Sequence, residues 1–324
     1  MSANEPVSYY WAALPAVAPR APLAGDVHCD VGVVGGGIAG ISTALHLALR
    51  GYRVTLLEAE RVGWGASGRS GAQALFGVAA SQDKLIRLIG SADARRVWDM
   101  SVEALALMRE LIATHGIDCD FVPGQMHVAI KPRQWDELRH WHDELHRDYG
   151  YTSVTLKDRA ATRELVASER YLGGMHDTYS AHLQPLKYLR GLAGAAERAG
   201  CIIHENSRVL DYTRRDGRPV LRTAQGTLGC SHVVFAGNAW LGGTAPALSR
   251  RIMPVGTYIV ATEPLGEVAA RALLPQNTAV TDINWVLDYF RRSADHRLLF
   301  GGRVSYSGLD PFNTAQATRA RMLK

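Results

Sequence analysis

The feature that most constrains this chain is the stretch from Asp30 to Glu58, which reads as strand, glycine turn, helix and second strand. Val31, Val33 and Val34 form a β-branched run, and Gly35-Gly36-Gly37-Ile38-Ala39-Gly40 follows without a break. Ile38, Ile41, Leu45 and Ala48 recur at helical spacing, and Gly51 marks the stop. Arg53 to Leu57 supplies the next strand, which ends at Glu58. This is G-x-G-x-x-G in the context it requires, with an acid about 20 residues on. Gly35 allows the tight turn, Gly37 lets the backbone approach a pyrophosphate, and Gly40 lets the helix pack against the strand. The free N–H groups and dipole of the new helix then hold phosphate, and Glu58 accepts from ribose hydroxyls. The stretch predicts a dinucleotide site.

Val31 to Leu49 carries no Asp, Glu, Lys or Arg, and its length approaches the ~20 residues of a membrane span. Its five glycines cluster at one end, and Ser42, Thr43 and His46 interrupt the rest. A buried strand, turn and helix suits that pattern, and no membrane span is expected. At 324 residues and 47% hydrophobic, the chain is long enough for a large core and two domains. The net charge of +5 is carried by scattered Arg pairs rather than a basic patch, which argues against nucleic acid as a partner. Cys29, Cys119, Cys201 and Cys230 are widely spaced and contain no C-x-x-C pair, so a disulfide framework or a zinc site is not expected. Met1 to Pro6 lacks a basic region leading into an apolar core, so the expected location is cytoplasmic.

Beyond Glu58 and Ala59, the chain enters Gly63-Trp64-Gly65-Ala66-Ser67-Gly68-Arg69-Ser70-Gly71-Ala72-Gln73. Small residues permit close approach to a bound group, and Ser67, Arg69 and Ser70 can donate to phosphate. A flexible linker would not need Trp64, Arg69 or Gln73. A nicotinamide-binding domain would continue into further helix–strand units, so this loop disfavours that reading.

Gly35 to Gly40, Glu58 and above all Gly65-Ala66-Ser67-Gly68-Arg69 resemble the FAD-dependent D-amino-acid oxidase superfamily, and within it the γ-glutamylputrescine oxidoreductase branch. The usual family run is Gly-Ala-Ser-Gly-Arg-Asn-Gly-Gly; here Ser70 replaces the Asn and Ala72 a Gly. The resemblance implies FAD as cofactor and an α/β fold, α+β overall, in which a Rossmann-like FAD-binding domain joins a mainly antiparallel-sheet substrate domain. It divides the chain into a discontinuous FAD-binding domain (26–90, 180–250 and 302–324), a substrate domain (91–179 and 251–301) and an extended segment, 1–25. Cofactor contacts are expected at Gly35, Gly37, Ile38, Ala39, Gly40, Glu58, Ala59, Trp64, Gly65, Ala66, Ser67, Arg69, Ser70 and Gln73. The backbone of Val209 is expected against the adenine, and Gly237 at the end of a third sheet strand.

Taken in order, Tyr9, Tyr10 and Trp11 pack an extended lead-in onto the body. Asp83 to Gly116 is helical, with Trp98, Leu105, Met108 and Ile112 as its apolar stripe. Cys119 to Pro132 reads as two strands turning at Pro123-Gly124, and Arg133 to Tyr149 as a helix. That helix places His142 and His146 on one face, but Asp143 stands where a metalloprotease has Glu, so surface histidines are expected and no metal. Residues 151–184 read as loop and crossing segment. Leu186 to Gly200 is a helix, and Cys201 to His204 and Arg208 to Tyr212 are strands. Asp216-Gly217 is a hairpin turn, followed by strands at Val220 to Thr223, Thr227 to Gly229 and from His232 toward Gly237. Ile252 to Thr262, Ala279 to Phe290 and Arg297 to Val304 are strand-rich, and Tyr258 and Tyr289 are expected to line an amine pocket. Thr314 to Lys324 opens a helix without a closing element, whereas family members continue further.

The resemblance implies oxidation of an amine, γ-glutamylputrescine or a related polyamine or secondary amine, with O₂ as electron acceptor. Imine formation needs no dedicated protein base, so no catalytic acid or base is assigned. The alternatives are a sarcosine- or glycine-type oxidase of the same superfamily and a non-catalytic FAD-binding module.

Overall fold

The computed structural model describes residues 8–306. Met1 to Pro6, the helix expected from Thr314 to Lys324, and the end of the 302–324 segment lie outside them. In chain order, Tyr9–Ala12 (α1) precedes Gly25–Val34 (β1), Ile38–Leu49 (α2) and Val54–Leu57 (β2). Gln73–Ala74 (β3), Gln82–Ile89 (α3), Ser91–His115 (α4), Val122–Ala129 (β4) and Pro132–Tyr149 (α5) follow. Next come Val154–Asp158 (β5), Arg159–Leu165 (α6), Gly173–His182 (β6), Pro185–Arg198 (α7) and Ile202–His204 (β7). Asp211–Arg215 (β8), Arg218–Arg222 (β9), Gly226–Phe235 (β10) and Pro246–Ser249 (α8) lead on. The last are Gly256–Ala261 (β11), Glu267–Leu273 (α9), Ala279–Asp282 (β12), Tyr289–Arg292 (β13) and Leu298–Ser305 (β14). They fall into two compact units. One runs to Ser70 and adds Ile112–Cys119 and Pro185–Pro254; the other takes Gly71–Leu111, Asp120–Gln184 and the chain from Val255.

The first unit holds a sheet in the order β7-β2-β1-β10-β9-β8. β1 pairs in parallel with both β2 and β10, while β9 and β8 fold back antiparallel. Val33, Leu56 and Leu57 are almost wholly buried, as expected for parallel strands covered on both faces. α7 contributes Leu186, Leu189, Leu192 and Ala196, all inaccessible to solvent, and packs on α2. The β8–β9 hairpin turns at Asp216 and Gly217, both at positive φ (49° and 77°), as a two-residue type I′ turn requires. β8 starts at Asp211 rather than Arg208, and β10 is one continuous strand where two were expected.

The lead-in is not extended throughout. Tyr9–Ala12 form one helical turn, because Ser8 Oγ accepts from the Trp11 N–H. Tyr10 and Trp11 are buried, and the Tyr10 hydroxyl donates to the Ser70 carbonyl at 3.0 Å. Further along, Glu205 gathers the segment in. Its buried carboxylate accepts from Arg20 N (2.8 Å), Arg61 Nε (3.0 Å) and Val62 N (2.7 Å), and pairs with the Arg20 guanidinium at 3.3 Å. Arg61 in turn donates to the Val17 carbonyl at 2.7 Å.

The second unit holds a sheet in the order β11-β14-β13-β12-β4-β6-β3, with β5 added on β6. Its pairs are antiparallel except β12 with β4. Phe76, Trp98, Leu105, Leu138, Leu145 and Met175 form one core on it, and Met126, Val128, Leu165, Leu274 and Val280 another. The helical stretch after Asp83 is broken at Gly90, whose φ of +81° ends α3 before α4 begins.

Two further expectations fail in this unit. Pro123-Gly124 is no turn between strands: β4 runs through it with a register shift, and Gly124 takes φ +109°. Such a bulge absorbs the extra residue without ending the strand. Residues 151–184 are no loop either; they supply β5, α6 and the long strand β6. Gly173-Gly174 is there for space. A Cβ on Gly173 would fall 2.8 Å from the Trp135 ring, and one on Gly174 2.8 Å from the His127 carbonyl. Asp177, Ser180 and His182 are buried on β6, where Asp177 accepts from the Tyr151 hydroxyl and the backbone of Tyr179 and Ser180.

Burial also sets the acid limit of this unit. His127 and His182 are almost fully buried, and desolvation pulls their pKa values down to about 4 and about 3. Near neutral pH both are uncharged, folded or unfolded. Below the unfolded value of about 6.5 only the unfolded chain takes up the protons, so stability is lost as pH falls toward the folded values. The cost is about 2 kcal/mol for each histidine by pH 5. Urea midpoints at pH 7 and pH 5 should therefore differ markedly, and His127→Phe should shrink that difference. An equal pH response in the variant would refute it.

Candidate functional site

The first unit carries a cleft of about 420 Å³ at the carboxyl end of β1. Its floor is Val34, Gly35 and Gly37; Leu57 to Glu60 and Trp64 to Ser67 line one side, and Ala236 to Asn238 and Trp240 to Thr244 another. Arg208 to Leu210 also line it, following the chain paired with Glu58 and Glu60. The glycines answer to three separate constraints. Gly35 sits at φ +114°, and a Cβ on it would lie 2.7 Å from the Ala236 carbonyl oxygen. On Gly40, a Cβ would lie 1.9 Å from the Gly35 carbonyl oxygen. On Gly37, which faces the cleft, it would come within 3.0 Å of Ser67 Oγ. α2 starts with no side-chain cap on its N-cap residue and no acid in its first turn. That leaves a positive helix end suited to phosphate.

Glu58 ends the next strand as expected. Its carboxylate accepts from the Gly36 N–H at 2.5 Å and from the Glu60 N–H at 2.9 Å. Burial pushes its pKa above the usual carboxylate range, against the pull of those two donors. Ser67 lies in the Ala66–Arg69 3₁₀ turn and accepts from the Ile38 N–H at 3.1 Å, tying the small-residue loop to the helix start. Ala59, Trp64, Gly65, Ala66, Val209 and Gly237 all reach the cleft wall. Ile38, Ala39, Gly40, Arg69 and Ser70 do not; Arg69 instead stacks its guanidinium 4.8 Å from the Trp64 ring. The Val209 carbonyl accepts from Thr244 Oγ1 at 2.8 Å. Glu60, Arg208 and Trp240 also line the cleft, and sequence reasoning missed them. The signal for Trp240 was available: an aromatic three residues past the glycine that ends a buried strand.

Gln73, Tyr258 and Tyr289 belong to the second unit. Gln73 accepts from Thr281 Oγ1 at 2.7 Å, and Thr281 pairs in register with Tyr289. The Tyr289 ring occupies a slot that only glycine leaves open, for a Cβ on Gly71 or Gly301 would overlap it. Tyr258 pairs with Gly302 and Tyr289 with Gly301. Successive residues of a strand face opposite ways, so the two tyrosines stand on opposite faces of the sheet. On α5, the His142 and His146 rings lie 4.3 Å apart, bonded to Asp143 and the Val154 carbonyl respectively. Among the described residues, no group of three or more His, Cys, Asp and Glu side chains could hold a metal, and no helix is long and apolar enough to cross a membrane.

A parallel β-α-β unit with a three-glycine turn, a terminal acid and a cleft above it defines a dinucleotide-binding protein. Residues 30–324 match the model of the DAO family, described as FAD dependent oxidoreductase. The chain is 40% identical over 318 residues to gamma-glutamylputrescine oxidoreductase of Escherichia coli (strain K12), covering 98% of this chain and 74% of that one. It is 31% identical over 235 residues to glycine oxidase of Geobacillus kaustophilus, 70% of this chain and 59% of the relative. The solved glycine oxidase of Geobacillus kaustophilus has the same fold, with a TM-score of 0.69 at 24% identity over 88% of this chain and 73% of that one. The chain belongs to the DAO family of FAD-dependent oxidoreductases, and FAD is its cofactor. The residues present fit that cofactor: the bare Cα of Gly37 facing the cleft leaves room for its pyrophosphate, and the start of α2, with no acid in its first turn and no capping side chain on Gly37 itself, leaves charge for it.

Proposed function

We propose that this enzyme oxidises the C–N bond of an amine, γ-glutamylputrescine or a related polyamine or secondary amine. The product is an imine that hydrolyses to an aldehyde plus amine or ammonia, while O₂ is reduced to H₂O₂. The 40% identity over 98% of the chain with the Escherichia coli protein named for that substrate carries the reading. When bound, FAD supplies the acceptor for the hydride equivalent that leaves the amine α-carbon. The first unit holds the cofactor through Gly35, Gly37, Glu58, Trp64 to Ser67, Val209 and Gly237. The second carries the amine site on the sheet face of Gln73 and Tyr289, where Thr281 and Gln125 add further polar groups joined at 3.0 Å. Hydride loss from a neutral amine needs no protein base, so these side chains position the substrate rather than titrate.

The test is a visible spectrum of the purified chain before and after anaerobic γ-glutamylputrescine. Flavin bands that bleach support the reading, and bands that persist reject that substrate. Bleaching by glycine or sarcosine instead would favour the second reading, an amino-acid oxidase, which the glycine oxidase relative keeps in play. Tyr289→Phe should lower kcat/KM by about 5- to 10-fold, the worth of one hydrogen bond. Tyr258→Phe, on the other face, should change it less than about twofold. The reverse order would move the amine site to the opposite face.

A further inference from the structure

Two sides of the cleft touch each other through a pair of aromatic rings. Trp64 and Trp240 meet edge to face, with centroids 5.6 Å apart and planes at 76°. Both residues line the cleft. The Glu60–Arg208 ion pair, by contrast, lies within one side, because the Asn206 and Ser207 N–H groups donate to the Glu60 and Glu58 carbonyls. The two rings are held differently. Trp64 is backed by the Arg69 guanidinium and precedes a 3₁₀ turn bonded to α2. Trp240 is 52% exposed on the Asn238–Thr244 turn, which follows Gly237 and breaks its helical geometry at Gly242 (φ 50°, ψ −131°). A glycine with those angles is a place where chain direction changes at little steric cost.

We infer that the Trp64–Trp240 contact forms an aromatic clasp, which must part for FAD to enter or leave the cleft. This rests on the reading that FAD occupies the cleft. The contact joins protein to protein rather than protein to cofactor, so on this inference it slows association and dissociation together and leaves the equilibrium nearly unchanged. A side chain that simply touched FAD would behave otherwise, slowing release alone and tightening binding.

The experiment uses the full chain stripped of FAD, mixed with FAD in a stopped-flow instrument and followed by tryptophan quenching and flavin fluorescence. Trp240→Ala should raise both rate constants by about 2- to 13-fold, the range of one aromatic pair, with Kd moving less than about threefold. Faster release with unchanged association and a weaker Kd would overturn the clasp and make Trp240 a direct contact; unchanged rates in Trp240→Ala would also overturn it. Gly37→Val is the separate control: FAD binding that survives it would sink the cleft reading itself.

Discussion

Gly40→Ala is expected to yield a protein that no longer retains FAD. The added Cβ would sit 1.9 Å from the Gly35 carbonyl oxygen and 3.1 Å from its carbon. Neither neighbour is the end of a flexible side chain. The helix must move away from the strand, and with it the turn that Gly35, Gly36 and Gly37 make at the floor of the cleft. Overpacking of this kind costs about 1–3 kcal/mol even where side chains can adjust. Here the backbone that meets the pyrophosphate would absorb it, for a loss of FAD affinity on the order of 100-fold. Gly51→Ala is the comparison: its φ of +86° makes a side chain strained, but nothing lies within 4 Å of the new atom. It should cost about 1–2 kcal/mol of stability and leave the flavin absorbance per chain intact. A Gly40→Ala protein with full flavin content and an unaltered circular dichroism spectrum would refute the steric account.

Glu205→Ala should be the most destabilising single change away from the cleft. It removes the acceptor of Arg61 Nε, of the Val62 and Arg20 N–H groups, and of the Arg20 guanidinium at once. Arg61, only 8% exposed, would keep a buried charge without its carboxylate. Removing one partner of a buried pair typically costs about 3–5 kcal/mol, and urea unfolding would read it directly. Glu205→Gln keeps one acceptor oxygen and should lose less. An exposed pair such as Arg95–Asp99 should give no measurable change when broken. The Glu205 variants should also free the lead-in, seen as faster proteolysis between Ala13 and Pro22. Equal losses at Glu205 and Arg95 would remove the basis for calling Glu205 a hub.

What the sequence disclosed was what local chemistry decides. The glycine turn, α2 and Glu58 were legible because the turn, the helix period and the acid lie within one short stretch. The Asp216-Gly217 hairpin was legible because two adjacent residues set its geometry. β6 was hidden, since Gly173-Gly174 is read locally as a loop and becomes a strand only because Trp135 and β4 press on it. Pro123-Gly124 misled for the same reason, the partner strand converting a turn signal into a bulge. The facing of Tyr258 depends on a bulge near Arg303, whose φ of +64° no local pattern announces. Glu60, Arg208 and Trp240 gain their meaning only from residues distant in sequence that the fold brings beside them.

The parallel pairing of β1 with β10 has a consequence for the chain as it is made. Val34 closes β1 and Gly226 opens β10, about 190 residues later. At ~5–20 residues per second, a ribosome needs on the order of 10–40 s to deliver the second strand after the first. During that interval the edge of β1 that will take β10 has no partner, and the cleft lacks the wall built from Ala236 to Thr244. Flavin capture is thus tied to the late part of translation, and a stalled or nicked chain ending before β10 would carry the glycine turn with nowhere to seat the cofactor.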